Sequence, residues 1–200
     1  MGDLQKRCMA SWRRIMPDYQ IKEWNESNSP MDSSYAAKAY SEEMWAFIAD
    51  YVRLYALHEE GGIYLDTDVT VVKPFDPLLN DRCFLGFQYK EEGPGWIANA
   101  VIGAESGHHF LKRCMKLTLS LFEEDQRFHI SPRVTTMALN ELGPVEYGTQ
   151  KVGDVRLYPV EYFYPYGPRE KFSPECIREN TYCMHHWSGS WLKKLRSRSG

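Results

Sequence analysis

The run from Ser41 to Val72 constrains the fold most, because its hydrophobic period changes partway along. Trp45, Ile48, Val52, Tyr55 and Ala56 recur at the spacing of one helix face, and Gly61-Gly62 then stops the pattern. "IYL" reads as a short buried strand leading straight into "DTD", with "TVV" continuing it on the far side. Ser41, followed by Glu42 and Glu43, is expected to cap the helix. The paired glycines fit a helix C-cap with positive φ and a tight entry to the strand. A helix feeding a strand through glycines is the unit from which layered α/β sheets are built.

The remainder of the chain repeats this alternation. Leu4, Cys8, Trp12 and Ile15 predict a first helix stopped by Pro17-Asp18, with "YQIKEW" a strand after it. "KPFDP" is a turn, and "CFLGF" and "NAVIGA" are strands. Helices are expected near His108–Phe122 and Val134–Leu142, strands at "VRLYPV" and "TYCMHHW", and a frayed basic tail at "LRSRSG". No repeat or low-complexity linker interrupts residues 1–200, so a single domain is expected, of α/β class, with a mixed sheet covered on both faces. Trp12, Trp24, Trp45 and Phe47 are read as core.

Composition narrows the function classes. The net charge is −3 with both signs interspersed, so no basic stripe tracks a nucleic-acid backbone. No apolar run reaches the ~20 residues of a membrane span, and the N-terminus has no signal-peptide core. Five cysteines without a C-x-x-C pair favour reduced thiols, hence a cytoplasmic setting.

Asp66 and Asp68 carry the chemistry. They follow a buried strand, where open α/β sheets bind ligands, and residues i and i+2 of an extended segment share a side. Both carboxylates can therefore converge on one hard cation, Mg²⁺ or Mn²⁺, and through it on a diphosphate. Asp50 and Arg53, three apart, share a face of the preceding helix. His58, His108, His109 and His129 show no partner pattern and are read as surface or satisfied histidines. "LDTDVTVV" also fits the D-x-D signature of haloacid dehalogenase-type phosphatases, although that signature belongs on a first strand near the N-terminus. A non-catalytic sugar- or nucleotide-binding module is the third reading.

"DYVRLYALHEEGGIYLDTDVTVVKPFDPLL" resembles the glycosyltransferases with a DXD sugar-binding region, the group of fungal initiating α-1,6-mannosyltransferases, bacterial capsule transferases and, more distantly, large clostridial glucosylating toxins. "SW" at Ser11, "WNESN", "NAVIGA", "YPVEYFYP" and "HHWSGSW" follow in the order of that group. The resemblance implies a GT-A type, Rossmann-like nucleotide-sugar fold and a metal-dependent transferase that retains anomeric configuration. The implied donor is a nucleotide-diphosphate hexose, and the acceptor a glycan, polysaccharide or lipid-linked sugar, with peripheral contact at an inner membrane face.

By resemblance, Asp50 and Arg53 grip the donor sugar, Tyr64 packs on the nucleotide or sugar, and Asn99 lines the sugar side. Asp66 reaches sugar, ribose and cation, and Asp68 is the direct metal ligand. The C-terminal segment is implied to fold over the donor, with His185 (alternatively His186) completing the Mn²⁺ or Mg²⁺ shell and Trp191 as lid. Ser188, Gly189 and Ser190 would supply hinge freedom and diphosphate donors. Members of the group open on an apolar strand of the form I-P-K-x-I-H-x-x-W, whereas this chain opens "MGDLQKRCMASW". A sheet lacking its usual first strand, and weakened nucleotide affinity, are therefore expected.

Overall fold

A computed structural model describes residues 1–90 and 96–189. In chain order these form α1 (Asp3–Ile15), α2 (Ser34–Ser41), α3 (Trp45–Glu60), β1 (Gly62–Leu65), β2 (Val69–Val71), β3 (Cys83–Phe87), β4 (Ile97–Ala104), α4 (His109–Asp125), α5 (Ser131–Asn140), β5 (Gln150–Val152), β6 (Val155–Tyr158), α6 (Val160–Phe163) and β7 (Cys183–His185). A five-stranded sheet runs β1-β4-β3-β6-β5, and β2 pairs with β7 in a separate ribbon. The large sheet is mixed: β3 and β6 are parallel, and its other pairings are antiparallel.

Both faces of that sheet are covered, which is why β3 and β4 read as unbroken apolar runs rather than alternating ones. Cys83, Leu85 and Phe87 of β3 pack with Leu54 and Leu57 of α3, Phe110 and Cys114 of α4, and Val134 and Ala138 of α5. Phe84 points the other way, into a second cluster with Trp12 of α1, Val69 and Val71 of β2, Phe163 and Tyr164. Close packing fixes two glycines there. A Cβ on Gly103 would lie 2.0 Å from the Phe84 ring, and one on Gly86 would lie 2.6 Å from Phe163. Aromatic bulk from the second cluster thus fills the space that each side chain would need.

Several expectations are corrected. "YQIKEW" belongs to no strand: Ile21 is 40% exposed, while Lys22 pairs with Glu60 and Trp24 meets the edge of Tyr55, so this stretch lies along α3 without a sheet edge to join. Ser41 does not cap α3. It closes α2, a helix whose Ser33 cap accepts the Ala36 N–H, and α3 starts only at Trp45. Trp45 is 46% exposed and stacks edge-on against Tyr40 rather than entering the core. "TVV" does not extend β1, because the chain turns at Asp66 and β2 joins the ribbon with β7. β5 escapes the hydrophobic pattern since "QKV" has a single buried residue; Gly153, at φ 61°, makes the hairpin turn to β6.

Candidate active site

The acidic pair straddles a tight turn rather than lying on extended chain. Val69 N–H donates to Asp66 O at 3.0 Å, and Asp66 N–H is held by Ala100 O at 2.8 Å, so the turn is anchored to β4. In the ribbon Val69 stands opposite His185, which brings the C-terminal strand alongside Asp68. The ligand atoms of Asp66, Asp68 and His185 all lie within 4.8 Å of one another. His185 Nε2 is 3.1 Å from Asp68 Oδ1 and 3.9 Å from Asp66 Oδ2.

Asp68 is buried, and burial pushes its carboxyl up. Contacts from His185 and from the Ser188 N–H, which donates at 2.9 Å, outweigh that and hold the group well below the ordinary carboxylate range. His185 Nδ1 is buried with no hydrogen-bond partner. Two carboxylates and an imidazole, with a charge-holding Asp68 among them, are a donor set that fits Mn²⁺ or Mg²⁺.

The neighbouring histidine faces away, as residues one apart on a strand must. His186 sits 2.7 Å from Thr70 Oγ1 and 3.0 Å from Tyr166 Oη, on the side of the ribbon opposite His185. Its amide still donates to Asp68 O at 3.0 Å.

Arg53 is the buried cation of the site. Its Nε donates to Ala49 O at 3.2 Å and its Nη1 to Asn99 O at 2.7 Å. Nη2 lies 2.9 Å from Asp50 and 3.4 Å from Asp66, with the guanidinium 4.6 Å from the Tyr64 ring centre. Tyr64 in turn donates its hydroxyl to Asp66 Oδ1 at 2.6 Å. Asp50 accepts from Ser131 Oγ at 2.8 Å and from Ser131 N–H at 3.2 Å, which ties α3 to the start of α5. Burial raises its carboxyl above the usual range against the pull of Arg53 and Ser131.

Asn99 lies inside β4 rather than at a strand end, where the β3–β4 register shifts between Phe84 and Gly86. Its Nδ2 donates to Thr135 Oγ1 at 2.7 Å, and its Oδ1 is buried without a partner. Irregular pairing of this kind re-aims side chains beside active sites. Asp50, Arg53, Tyr64, Asp66 and Asn99 are thus one connected network, joined through Asp66 to Asp68 and His185. Ser190 and Trp191 lie outside the described residues.

Three participants were not singled out from sequence. Trp187, in the left-handed region at φ 52°, lies 4.3 Å from the His185 ring and donates its indole N–H to Tyr166 O at 2.8 Å. Tyr164 accepts Val101 N–H at 3.0 Å and packs against both His185 and Trp187. Ser131 anchors Asp50. Of these, Trp187 and Tyr164 lie within the runs "HHWSGSW" and "YPVEYFYP", whereas Ser131 had no signal of its own.

A mixed, doubly covered α/β sheet with a D-x-D turn at the end of an apolar strand defines a GT-A-like chain. Sequence comparison agrees: the profile described as "Glycosyltransferase sugar-binding region containing DXD motif" matches residues 2–85, and that of "Alpha 1,4-glycosyltransferase conserved region" matches residues 103–199. Over these two stretches the chain is similar to glycosyltransferases that carry a DXD sugar-binding region. It is similar to inositol phosphoceramide mannosyltransferase 3 of Schizosaccharomyces pombe, at 30% identity over 121 residues, covering 56% of this chain and 31% of that protein. It is also similar to human alpha-1,4-N-acetylglucosaminyltransferase, at 26% identity over 169 residues, covering 84% of this chain and 43% of the relative. This chain therefore spans less than half the length of either relative. Among solved structures, one titled PaToxG glycosyltransferase matches with a TM-score of 0.52 at 17% identity, over 70% of this chain and 63% of that one, which supports the fold.

Proposed function

We propose that the chain is the catalytic domain of a metal-dependent, retaining glycosyltransferase, moving a hexose from a nucleotide-diphosphate sugar to a hydroxyl of a glycan, polysaccharide or lipid-linked acceptor. The observation that carries this reading is the convergence of Asp66, Asp68 and His185 beside the buried Arg53 network. A bound Mn²⁺ or Mg²⁺, held by those three side chains, supplies charge stabilisation for the departing diphosphate.

The chain's own residues do the rest. Arg53, locked by two carboxylates and two carbonyls, presents fixed positive charge that needs no reorganisation as negative charge develops. Asn99 Oδ1, buried and unpartnered, is a ready acceptor for a sugar hydroxyl, with Asp50 beside it on Arg53. Tyr64 packs its ring on Arg53, and Tyr164 and Trp187 pack against His185, so aromatic side chains hold both groups in place. Among the described residues no carboxylate of the site is free to serve as a nucleophile: Asp66 and Asp68 belong to the ligand set, and Asp50 is held by Arg53 and Ser131. This favours front-face attack, with the acceptor hydroxyl entering on the leaving-group side. The phosphatase alternative lacks support, since Asp66 leaves a strand at the edge of the sheet among the described residues and both matching profiles are glycosyltransferase ones.

Among the described residues no helix is long and apolar enough to cross a membrane, and the five cysteines are free thiols. The test is a panel of nucleotide sugars with Mn²⁺, run beside p-nitrophenyl phosphate. Donor turnover with wild-type protein that disappears in Asp68→Asn supports the assignment. Cleavage of p-nitrophenyl phosphate alone, or metal-dependent transfer persisting in Asp68→Asn, overturns it.

A further inference from the structure

A second convergence of ligating side chains lies at the other end of the sheet. Along the β1–β4 pair, Leu65 stands opposite Val101 and Gly62 opposite Ala104, so Asp66 leaves one end and the chain to His108 leaves the other. Cys83 pairs with both Ala104 and Val155, which brings Asp154, in the β5–β6 hairpin turn, to the same end as the start of α4. There His108 Nε2 is 3.3 Å from Asp154 Oδ2, and His109 Nε2 is 3.4 Å from Asp154 Oδ1.

Those separations have a chemical meaning. Ligands at ~2.0–2.1 Å from a tetrahedral ion stand about 3.3 Å apart, so each imidazole–carboxylate separation, one to each oxygen of Asp154, has the length of a coordination edge. The three ligand atoms all lie within 4.8 Å of one another, and the remaining edge closes by rotation of His109, whose side chain is 58% exposed. Two polar atoms of the cluster, His108 Nε2 and Asp154 Oδ1, are buried without a hydrogen-bond partner, and the His108 side chain is fully buried. Buried polar atoms without a partner are rare in a satisfied protein interior.

We propose that His108, His109 and Asp154 form a second metal site, with two imidazoles and one carboxylate selecting a borderline divalent ion of the Zn²⁺ class. The ion clamps the N-terminus of α4 to the β5–β6 hairpin, away from the acidic turn. Two groups compete with it. Arg82 lies 3.1 Å from Asp154 Oδ2, but its side chain is 59% exposed and also pairs with Glu105, so it can release Asp154 while keeping a partner. His108 Nδ1 accepts the Phe110 N–H at 3.3 Å, and ligation through Nε2 moves the imidazole proton to Nδ1 and gives up that long helix cap. The Phe110 amide is therefore a local reporter of metal arrival.

The experiment titrates Zn²⁺ into the full chain carrying Asp68→Asn, followed by calorimetry, thermal unfolding and the Phe110 amide resonance. Expected are one Zn²⁺ bound with a rise in unfolding temperature, a shift of the Phe110 signal, and roughly tenfold or greater weakening by either His109→Ala or Asp154→Asn. His109→Ala removes an exposed side chain, so it tests the site even if Asp154→Asn fails to fold. No saturable Zn²⁺ binding, or binding that His109→Ala leaves unchanged, overturns the proposal. Because Asp68→Asn disables the acidic site, neither result depends on the glycosyltransferase reading.

Discussion

Replacing Arg53 by lysine keeps the charge and discards the planar fork, and the structure sets what that costs. Arg53 is 7% exposed and serves Ala49 O, Asn99 O, Asp50 and Asp66 from three different nitrogens. A lysine ammonium is a single point on a flexible stem and cannot reach both carbonyls and both carboxylates together. Losing two of the four contacts, one of them to a carboxylate, costs about 2–4 kcal/mol at ordinary values for buried hydrogen bonds. With a urea m-value of about 2 kcal/mol/M, the unfolding midpoint falls by about 1–2 M, readable by far-UV circular dichroism. Arg53→Met leaves the mostly buried Asp50 without its cation and removes one partner of the half-buried Asp66, at about 3–5 kcal/mol. Adding Asp50→Asn to it recovers part of the loss, a coupling of about 1–3 kcal/mol in a double-mutant cycle. A midpoint shift under about 0.3 M for Arg53→Lys, or strict additivity in the cycle, refutes the idea that this network is a single cooperative unit.

Asp68→Asn keeps the fold, as judged by an unchanged circular dichroism spectrum, and abolishes Mn²⁺-dependent donor turnover. His185→Ala raises the Mn²⁺ concentration needed for half-maximal turnover, whereas His186→Ala leaves it unchanged and instead lowers stability by about 1–2 kcal/mol, because Thr70 and Tyr166 lose a common half-buried partner; equal effects on metal requirement would contradict the opposite facing of the two rings. Gly61→Ala destabilises by about 3 kcal/mol in urea titration, since Gly61 sits at φ 71°, ψ −167° and a Cβ there would lie 2.7 Å from Ser106 N; a neutral result would mean that the α3–β1 junction relaxes freely.

The sequence made most of the sheet visible and left its connections obscure. β3 and β4 are legible as solid apolar runs because both faces are buried, and α3 is legible from its period and its terminating glycines. β5 is not, since a strand of three residues carries almost no periodic signal, and although "TVV" and "TYCMHHW" read as strands, their pairing into a ribbon is not legible because Val69 and His185 stand well over a hundred positions apart. α2 was lost for another reason. Its run "SYAAKAYS" has helix-forming alanines, yet its buried face is only Tyr35, Ala36 and Ala39, too narrow to stand out from a polar stretch.

The same division holds at the acidic turn. Chemistry written in adjacent residues, D-x-D or Asp50 with Arg53, can be read locally, whereas the roles that complete it depend on tertiary placement. Asn99 looks like the end of a strand until the β3–β4 register shift turns it toward Thr135 and leaves Oδ1 open. Ser131 looks like an ordinary helix start until Asp50 claims both its amide and its hydroxyl. His108 and His109 read as unremarkable because their partner, Asp154, arrives through the parallel pairing of β3 with β6. In each case the unseen half of the interaction is remote in sequence. Where the sheet register brings remote residues to one strand end, an orphaned buried polar atom such as Asn99 Oδ1 or His108 Nε2 marks a place to test for a ligand.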